Sequence, residues 1–274
     1  MRPVSEQTVM ITGATDGLGR YLAARLGAEG ARVIVHGRDA GRAEVVRSEV
    51  TAAGGRADVL LADLGELRAV DRLAADVRDR YDRLDVLVNN AGVGSAPAGR
   101  VESADGIELR FAVNHVAGYR LAHRLLPLLE ASAPSRIVNV ASAAQYPIDF
   151  DDPLLERAYD GGRAYAQSKL AQIMFTVDLA AELRGRGVTV NALHPATYMA
   201  TTMVRRGGIT PASTVAEGGD ATLRLIRDPA LDGVTGRYFN GTHESAPHPQ
   251  ATDAAARAHL RRLTDDLVTR ALAS

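Results

Sequence analysis

The chain has 274 residues, 32 basic and 33 acidic side chains, a formal net charge of −1 and a hydrophobic share of 46%. That share separates it from disordered chains, and a charge near zero argues against nucleic acid or an anionic membrane as its main partner. With no cysteine it cannot form disulfides, thiolate zinc sites or thiol nucleophiles.

Residues 1–8 are polar and lack the charged start and apolar stretch of a secretory leader. No uncharged apolar run approaches the roughly 18–20 residues that span a bilayer. A soluble, cytoplasmic protein is expected. A first strand at residues 9–11 runs into Thr12-Gly13, and Leu18, Leu22 and Leu26 recur at helical spacing before Gly30. A second strand at 32–35 ends in His36-Gly37, and a polar helix near 40–53 stops at Gly54-Gly55. A strand at 57–61, a helix at 66–81 and a strand at 84–88 follow, the last closed by Asn89-Asn90-Ala91-Gly92. A long helix is predicted at 107–129, with Pro127 near its last turn because an interior proline costs about 3 kcal/mol. Then come a strand at 136–140, a helix at 164–183, a strand at 188–193, a helix at 214–226 and a short strand at 238–239. An Ala/Arg-rich amphipathic helix covers about 251–272. No repeat or low-complexity linker interrupts the pattern, so residues 1–274 read as one domain. Strict alternation of strand and helix implies βαβ units, a parallel sheet with helices on both faces, and a doubly wound α/β fold. Its ligand crevice lies beyond the carboxyl ends of the strands.

The glycines of Thr12-Gly13-Ala14-Thr15-Asp16-Gly17-Leu18-Gly19 fall between the first strand and first helix. Glycine allows a tight turn and close backbone approach to a pyrophosphate, whose charge the helix N-terminus then meets. Gly13, Thr15, Asp16, Gly17, Leu18 and Gly19 are therefore assigned to a dinucleotide. An NAD site usually places Asp or Glu at the end of the second strand. Here Arg38 stands there, suited to a 2′-phosphate, with Asp39 beside it to contest the assignment. NADP(H) is preferred, with NAD(H) as the alternative. Asp63 and Leu64 are placed at the adenine edge, and Asn90, Ala91 and Gly92 along the cofactor's middle.

Tyr165 and Lys169 lie at i and i+4, on one face of a helix. A free tyrosine has a pKa near 10, and a neighbouring ammonium lowers it toward useful proton transfer. Lys169 is the single lysine among the 32 basic residues. With eight tyrosines in 274 residues, a randomly placed lysine falls four residues after one roughly 3% of the time. Arginine serves wherever charge alone matters, but its planar, permanently charged fork fits poorly between a ribose and a phenol. Ser142, at the end of the fifth strand, is placed to hydrogen-bond the reacting oxygen, and Asn114 to hold a water behind Lys169.

Thr12-Gly13-x-x-x-Gly17-x-Gly19, Asn89-Asn90-Ala91-Gly92, Asn114, Ser142 and Tyr165-x-x-x-Lys169 resemble, in order, the motifs of the short-chain dehydrogenase/reductase family, over about residues 8–240. The resemblance implies a Rossmann-type sheet of seven strands, an NAD(P)(H) cofactor and an Asn-Ser-Tyr-Lys tetrad. It also implies that Lys169 binds the nicotinamide ribose, and a homodimer or homotetramer built on the long fourth and fifth helices. Arg110-Phe-Ala-Val-Asn114-His, Arg136-Ile-Val-Asn-Val-Ala-Ser142, Phe150-Asp-Asp and the gap of 23 residues from Ser142 to Tyr165 look like the retinol dehydrogenase-like branch. One departure is clear. The family's Pro-Gly after the sixth strand is Pro195-Ala196 here, and the threonine that holds the carboxamide is Thr201 or Thr202. Pro195, Thr197 and Thr201 are assigned to the cofactor on this basis.

Apolar residues within the polar stretches around the tetrad, Tyr146, Phe150, Tyr198, Met199 and Met203, are read as contacts to a lipophilic or aromatic carbonyl compound, with a substrate loop at about 196–213. A dry site suits such chemistry. Arg205-Arg206 reads as a solvated pair. The seven histidines show no metal-ligand spacing, so no metal is expected. The reaction expected is hydride exchange between a secondary alcohol or ketone and nicotinamide. Two alternatives are a sugar-nucleotide epimerase or dehydratase, and a cofactor-sensing regulator that binds a partner protein.

Overall fold

The computed structural model describes residues 1–95 and 99–273. Its strands are β1 (Thr8–Ile11), β2 (Arg32–Gly37), β3 (Arg56–Leu61), β4 (Val86–Asn89), β5 (Ser135–Val140), β6 (Val188–His194), β7 (Tyr238–Asn240) and β8 (His243–Glu244). They form one sheet in the order β3-β2-β1-β4-β5-β6-β7-β8. The first seven run parallel, in the expected doubly wound arrangement. The order reverses between β1 and β4, and the crevice at such a reversal is where ligands bind in this architecture.

The sheet has eight strands rather than seven. Gly241-Thr242 forms a two-residue turn between paired Asn240 and His243, with Gly241 at φ +58°, and returns the chain antiparallel as β8. Glycine at the first turn position suits a tight hairpin, but two paired residues are too few to show periodicity.

Alternate strand residues enter opposite cores. Met10, Ile34, Leu87, Ile137 and Val190 face one layer, and Val9, Val33, Val35, Val88, Val138 and Leu193 face the other. The first layer holds α3 (Leu67–Arg80), α5 (Ala117–Ala131), α6 (Gly161–Glu182) and α9 (Ala254–Ala273); the second holds α1 (Gly17–Ala28), α2 (Ala40–Ala52) and α8 (Val215–Arg227). Burial on both faces explains why these strands read as continuous apolar runs.

The long helix predicted at 107–129 forms as one unbroken helical run over 109–131, interrupted in hydrogen-bond pattern by a π-bulge. It consists of a short turn α4 (Leu109–Phe111), a π-helical segment Ala112–Val116, and α5. The Ala117 amide reaches back five residues to the Ala112 carbonyl. Such a bulge often marks a functional position, and here it contains Asn114. Pro127 is exposed on α5, one turn before its end. Another short helix, α7 (Thr202–Arg206), forms inside the predicted substrate loop. Helix α9 lies across α5 and α6: Thr264 pairs with His115 at 2.9 Å, Tyr119 donates to Asp265 at 2.7 Å, and Arg261 meets Asp178 at 2.6 Å. No helix of the described residues is long and apolar enough to cross a membrane.

Candidate active site

The glycine turn sits where β1 meets β4. Gly13 and Gly17 hold φ of +64° and +48°, a region costly for other residues. A Cβ on Gly19 would come within 2.3 Å of the Gly13 carbonyl oxygen. Thr12 and Asn90 tie the turn to the loop after β4. Thr12 Oγ1 accepts from the Asn90 and Ala91 amides at 3.0 and 3.1 Å, and Asn90 Nδ2 donates to the Thr12 and Gly13 carbonyls at 2.9 and 3.1 Å. The Asn90 side-chain amide thereby fixes the loop expected to line the cofactor against the turn. The result is a backbone turn with no side chain of its own at positions 13, 17 and 19, at the start of α1, the arrangement that suits a dinucleotide pyrophosphate.

His36, which carried no signal in the sequence, braces this turn. Its Nδ1 accepts from the Gly13 amide at 3.3 Å, its carbonyl accepts from Ala14 at 2.8 Å, and Nε2 lies 3.2 Å from the Ala62 carbonyl. Burial pulls its pKa down to about 4, so the ring is neutral and donates from Nε2. Asp16 caps α1 through the Gly17 amide at 2.8 Å and meets Arg42 of α2 at 3.1 Å. Burial alone would raise its pKa, but hydrogen bonds from Thr202 and Gly17 and the Arg42 guanidinium hold it below the usual carboxylate value.

At the end of β2 the contest between Arg38 and Asp39 is resolved by a helix cap. Asp39 Oδ1 accepts from the Arg42 amide at 2.9 Å and starts α2. Arg38 projects outward with 71% of its side chain exposed, 3.5 Å from Asp63. Asp63 also accepts from the Gly65 amide at 2.8 Å, and Leu64 is buried beside it.

The tetrad residues come from three elements and converge. Asp160 caps α6 by accepting from Arg163 N at 2.6 Å, and the helix then presents Tyr165 and Lys169 toward the end of β5. Lys169 Nζ lies 5.8 Å from the Tyr165 ring centre and is 4% exposed. It donates to the Val140 carbonyl and to Gln172 Oε1, both at 2.9 Å. Gly92 borders both groups: a Cβ there would lie 3.6 Å from Lys169 Nζ and 3.3 Å from Asn114 Oδ1. Ser142 hydrogen-bonds the Tyr165 phenol, and Tyr238 of β7 donates to the Ser142 carbonyl at 3.1 Å.

The proton affinities of the Tyr165 and Lys169 pair are set by burial. With the chain's own groups, Tyr165 is not acidified: burial pushes the phenol up, and the Ser142 hydrogen bond offsets only part of that. The same burial pulls Lys169 down to about 7, because the site desolvates the ammonium without supplying a counter-charge. The Asn114 side chain ties the loop after β4 to α6. Its Oδ1 accepts from the Val93 amide at 2.7 Å, and Nδ2 donates to the Val93 carbonyl at 3.1 Å and Ser168 Oγ at 2.8 Å.

The predicted substrate residues separate into two groups. Tyr146, Tyr198 and Met203 are exposed, and Tyr198 is held at φ +47°. Met203 leans on the loop after β4, where a Cβ on Gly94 would come within 2.8 Å of its Cγ. Phe150 and Met199 point elsewhere. Phe150 stacks on His259 of α9, ring centres 4.1 Å apart at 10°, and Met199 packs over Gly218 of α8. Phe150 and Met199 thus pack partly buried against the two cores. Pro195 is buried, and Thr197 Oγ1 pairs with His194 Nε2 at 3.0 Å. Thr201 caps α7 and packs on Gly17, while Thr202 bonds Asp16, so both candidate threonines touch the glycine turn. A buried cluster also went unread: Glu108 accepts from Tyr159 at 3.0 Å and pairs with Arg110 at 3.2 Å, while Arg110 Nε donates to the Gly94 carbonyl at 2.9 Å. No metal-binding group occurs among the described residues.

Residues 7–208 match the family model for short chain dehydrogenase. The chain belongs to the short-chain dehydrogenase/reductase family of NAD(P)-dependent oxidoreductases acting on alcohols and carbonyl compounds. Within it, the chain falls in the retinol dehydrogenase-like branch. It is 39% identical to retinol dehydrogenase 14 of Mus musculus, covering 96% of this chain and 86% of that protein. It is 37% identical to retinol dehydrogenase 13 of Homo sapiens, covering 90% and 80%. Among solved structures, a protein of Mycobacterium paratuberculosis superposes with TM-score 0.78 at 29% identity, covering 96% of this chain and 94% of that one. A short chain dehydrogenase of Burkholderia cenocepacia in complex with NADP gives 0.72 at 26% identity, covering 88% and 99%.

Proposed function

We propose that the protein exchanges hydride between NADP(H) and a secondary alcohol or its ketone, with a lipophilic or aromatic carbonyl compound as substrate. The observation that carries this reading is the convergence of Tyr165, Ser142 and a buried Lys169 beside a glycine turn that fits a pyrophosphate. Residues of the Gly13–Gly19 turn would hold the pyrophosphate, Arg38 a 2′-phosphate, and Lys169 the nicotinamide ribose. The cofactor, when bound, supplies or accepts the hydride. Everything else falls to the chain's own groups.

In reduction, Tyr165 gives its phenolic proton to the carbonyl oxygen. A phenol that burial keeps protonated is suited to that step. Ser142 steadies the same oxygen, and the Lys169 ammonium favours the phenolate left behind. In oxidation the phenol must first lose its proton, so the rate rises with pH. Exposed Tyr146, Tyr198 and Met203 suit an apolar substrate, and relatives named retinol dehydrogenases support a lipophilic alcohol or carbonyl compound. NADP in the Burkholderia cenocepacia relative supports the cofactor choice, as does the exposed Arg38 guanidinium at the end of β2, where Asp39 turns one carboxylate oxygen to the α2 cap. The reading extends to a homodimer or homotetramer on the resemblance alone.

The test follows NADPH absorbance against retinal, aromatic and steroid-like ketones, and simple aldehydes. Turnover is expected with the lipophilic members. NADPH binding without turnover across the whole panel would overturn the reading.

A further inference from the structure

Lys169 must place three N–H bonds in a site that is 4% exposed. Two go to protein acceptors, the Val140 carbonyl and Gln172 Oε1, each at 2.9 Å. Gln172 lies one turn further along α6 and is itself 3% exposed. Both acceptors are neutral. Around the ammonium, α6 contributes one titratable neighbour, Tyr165; β5 and its end contribute the Val140 carbonyl and the Ser142 hydroxyl. The loop after β4 contributes Gly92, where a Cβ would lie 3.6 Å from the ammonium and also border Asn114 Oδ1 and Met203. Among the described residues no carboxylate acts on Lys169, and burial is the one influence resolved on its proton affinity.

We propose that Gln172 is a positioning residue of the active site, whose side-chain carbonyl holds the Lys169 ammonium beside Tyr165 and keeps it charged in a site that otherwise desolvates it. The carbonyl partner from β5 is main chain and cannot vary with sequence. The Gln172 amide is therefore the side chain through which this protein tunes its ammonium. A hydrogen bond to a charged group is worth more than one between neutral groups. Gln172 must accordingly raise the proton affinity of Lys169 relative to a site without it. The inference rests on the reading of Tyr165 and Lys169 as the proton-transfer pair, but its test does not use turnover.

The composition makes that test direct. Lys169 is the only lysine in the chain. Protein grown with ¹³C-labelled lysine therefore gives one ε-methylene signal, whose pH titration reports this ammonium alone. The full-length chain is titrated as wild type, Gln172→Met and Gln172→Glu. Methionine keeps the length of the side chain and removes the carbonyl; glutamate keeps the geometry and adds a charge. The midpoint is expected to fall by about one pH unit in Gln172→Met and to rise by at least about one in Gln172→Glu. If Gln172→Met does not fold, the rise in Gln172→Glu decides. Midpoints within about 0.3 pH unit of wild type in the folded variants would overturn the proposal. The expected shifts in a protein without carbonyl turnover would uphold the Gln172 contact and dismiss the reaction instead.

Discussion

Removing the Lys169 charge is expected to stabilise the fold while abolishing turnover. Burial lowers the pKa of this group from 10.5 to about 7, which corresponds to about 5 kcal/mol spent on keeping the ammonium charged at acidic pH. In Lys169→Met that cost disappears. The Val140 carbonyl and Gln172 Oε1 each lose a donor, which costs about 3 kcal/mol together. The balance is a gain of about 2 kcal/mol, or about 4 °C in Tm for a chain of this size. The sign depends on pH in a defined way. Because the folded pKa is depressed, the unfolded chain holds the extra proton between pH about 7 and 10.5. Wild-type stability therefore rises with pH across that window, and the advantage of the variant shrinks until only the lost hydrogen bonds remain. Thermal melts of both proteins at pH 6, 8 and 10 would show curves that converge and then cross. A variant that is less stable than wild type at every pH, by a constant amount, would refute the reasoning. Lys169→Arg keeps a charge but replaces a compact ammonium with a planar fork. It is expected to lose most activity, and near-normal turnover would remove the argument drawn from the single lysine.

Tyr165→Phe should lower carbonyl reduction by about 10²- to 10⁴-fold while leaving NADPH affinity within about twofold, measured by steady-state kinetics and fluorescence titration. Retention of most of the turnover would exclude Tyr165 as proton donor. Arg38→Asp should weaken NADPH binding about tenfold or more without weakening NADH binding; equal affinities before and after would remove Arg38 from cofactor selection. His36 is neutral in the fold with a pKa of about 4 against 6.5 in the open chain, so stability should fall by about 3 kcal/mol as pH drops from about 6.5 to 4. Urea unfolding at both pH values measures this. His36→Asn should flatten that part of the slope, and an unchanged slope would place the acid sensitivity elsewhere, for instance at buried His115, whose pKa burial pulls to about 3.

The layer architecture, the parallel strands and the position of the glycine turn were legible along the chain, because each depends on residues close together in sequence. Short continuous apolar runs mark strands covered on both faces, and helical apolar spacing marks the buried side of a helix, whatever lies opposite. The spacing of Tyr165 and Lys169 is likewise local, since a helix brings i and i+4 together without outside help. Even the cap that removes Asp39 from the cofactor site is a local device, three residues from its acceptor amide.

What pairs across long separations was decided only by the tertiary structure. Phe150 and Met199 were apolar loop residues in either reading; the arrival of His259 and Gly218 determined that they face cores. His36 acquires meaning only because β1 and β3 flank it and offer Gly13 and Ala62. Proton affinities belong to the same class. The sequence places an ammonium next to a phenol, a pairing that by charge alone lowers the pKa of Tyr165. Packing of α6 against β5 removes water from both groups, and desolvation then outweighs their attraction, raising Tyr165 and lowering Lys169. Local spacing brings the two groups together, but water exclusion depends on every element packed around them.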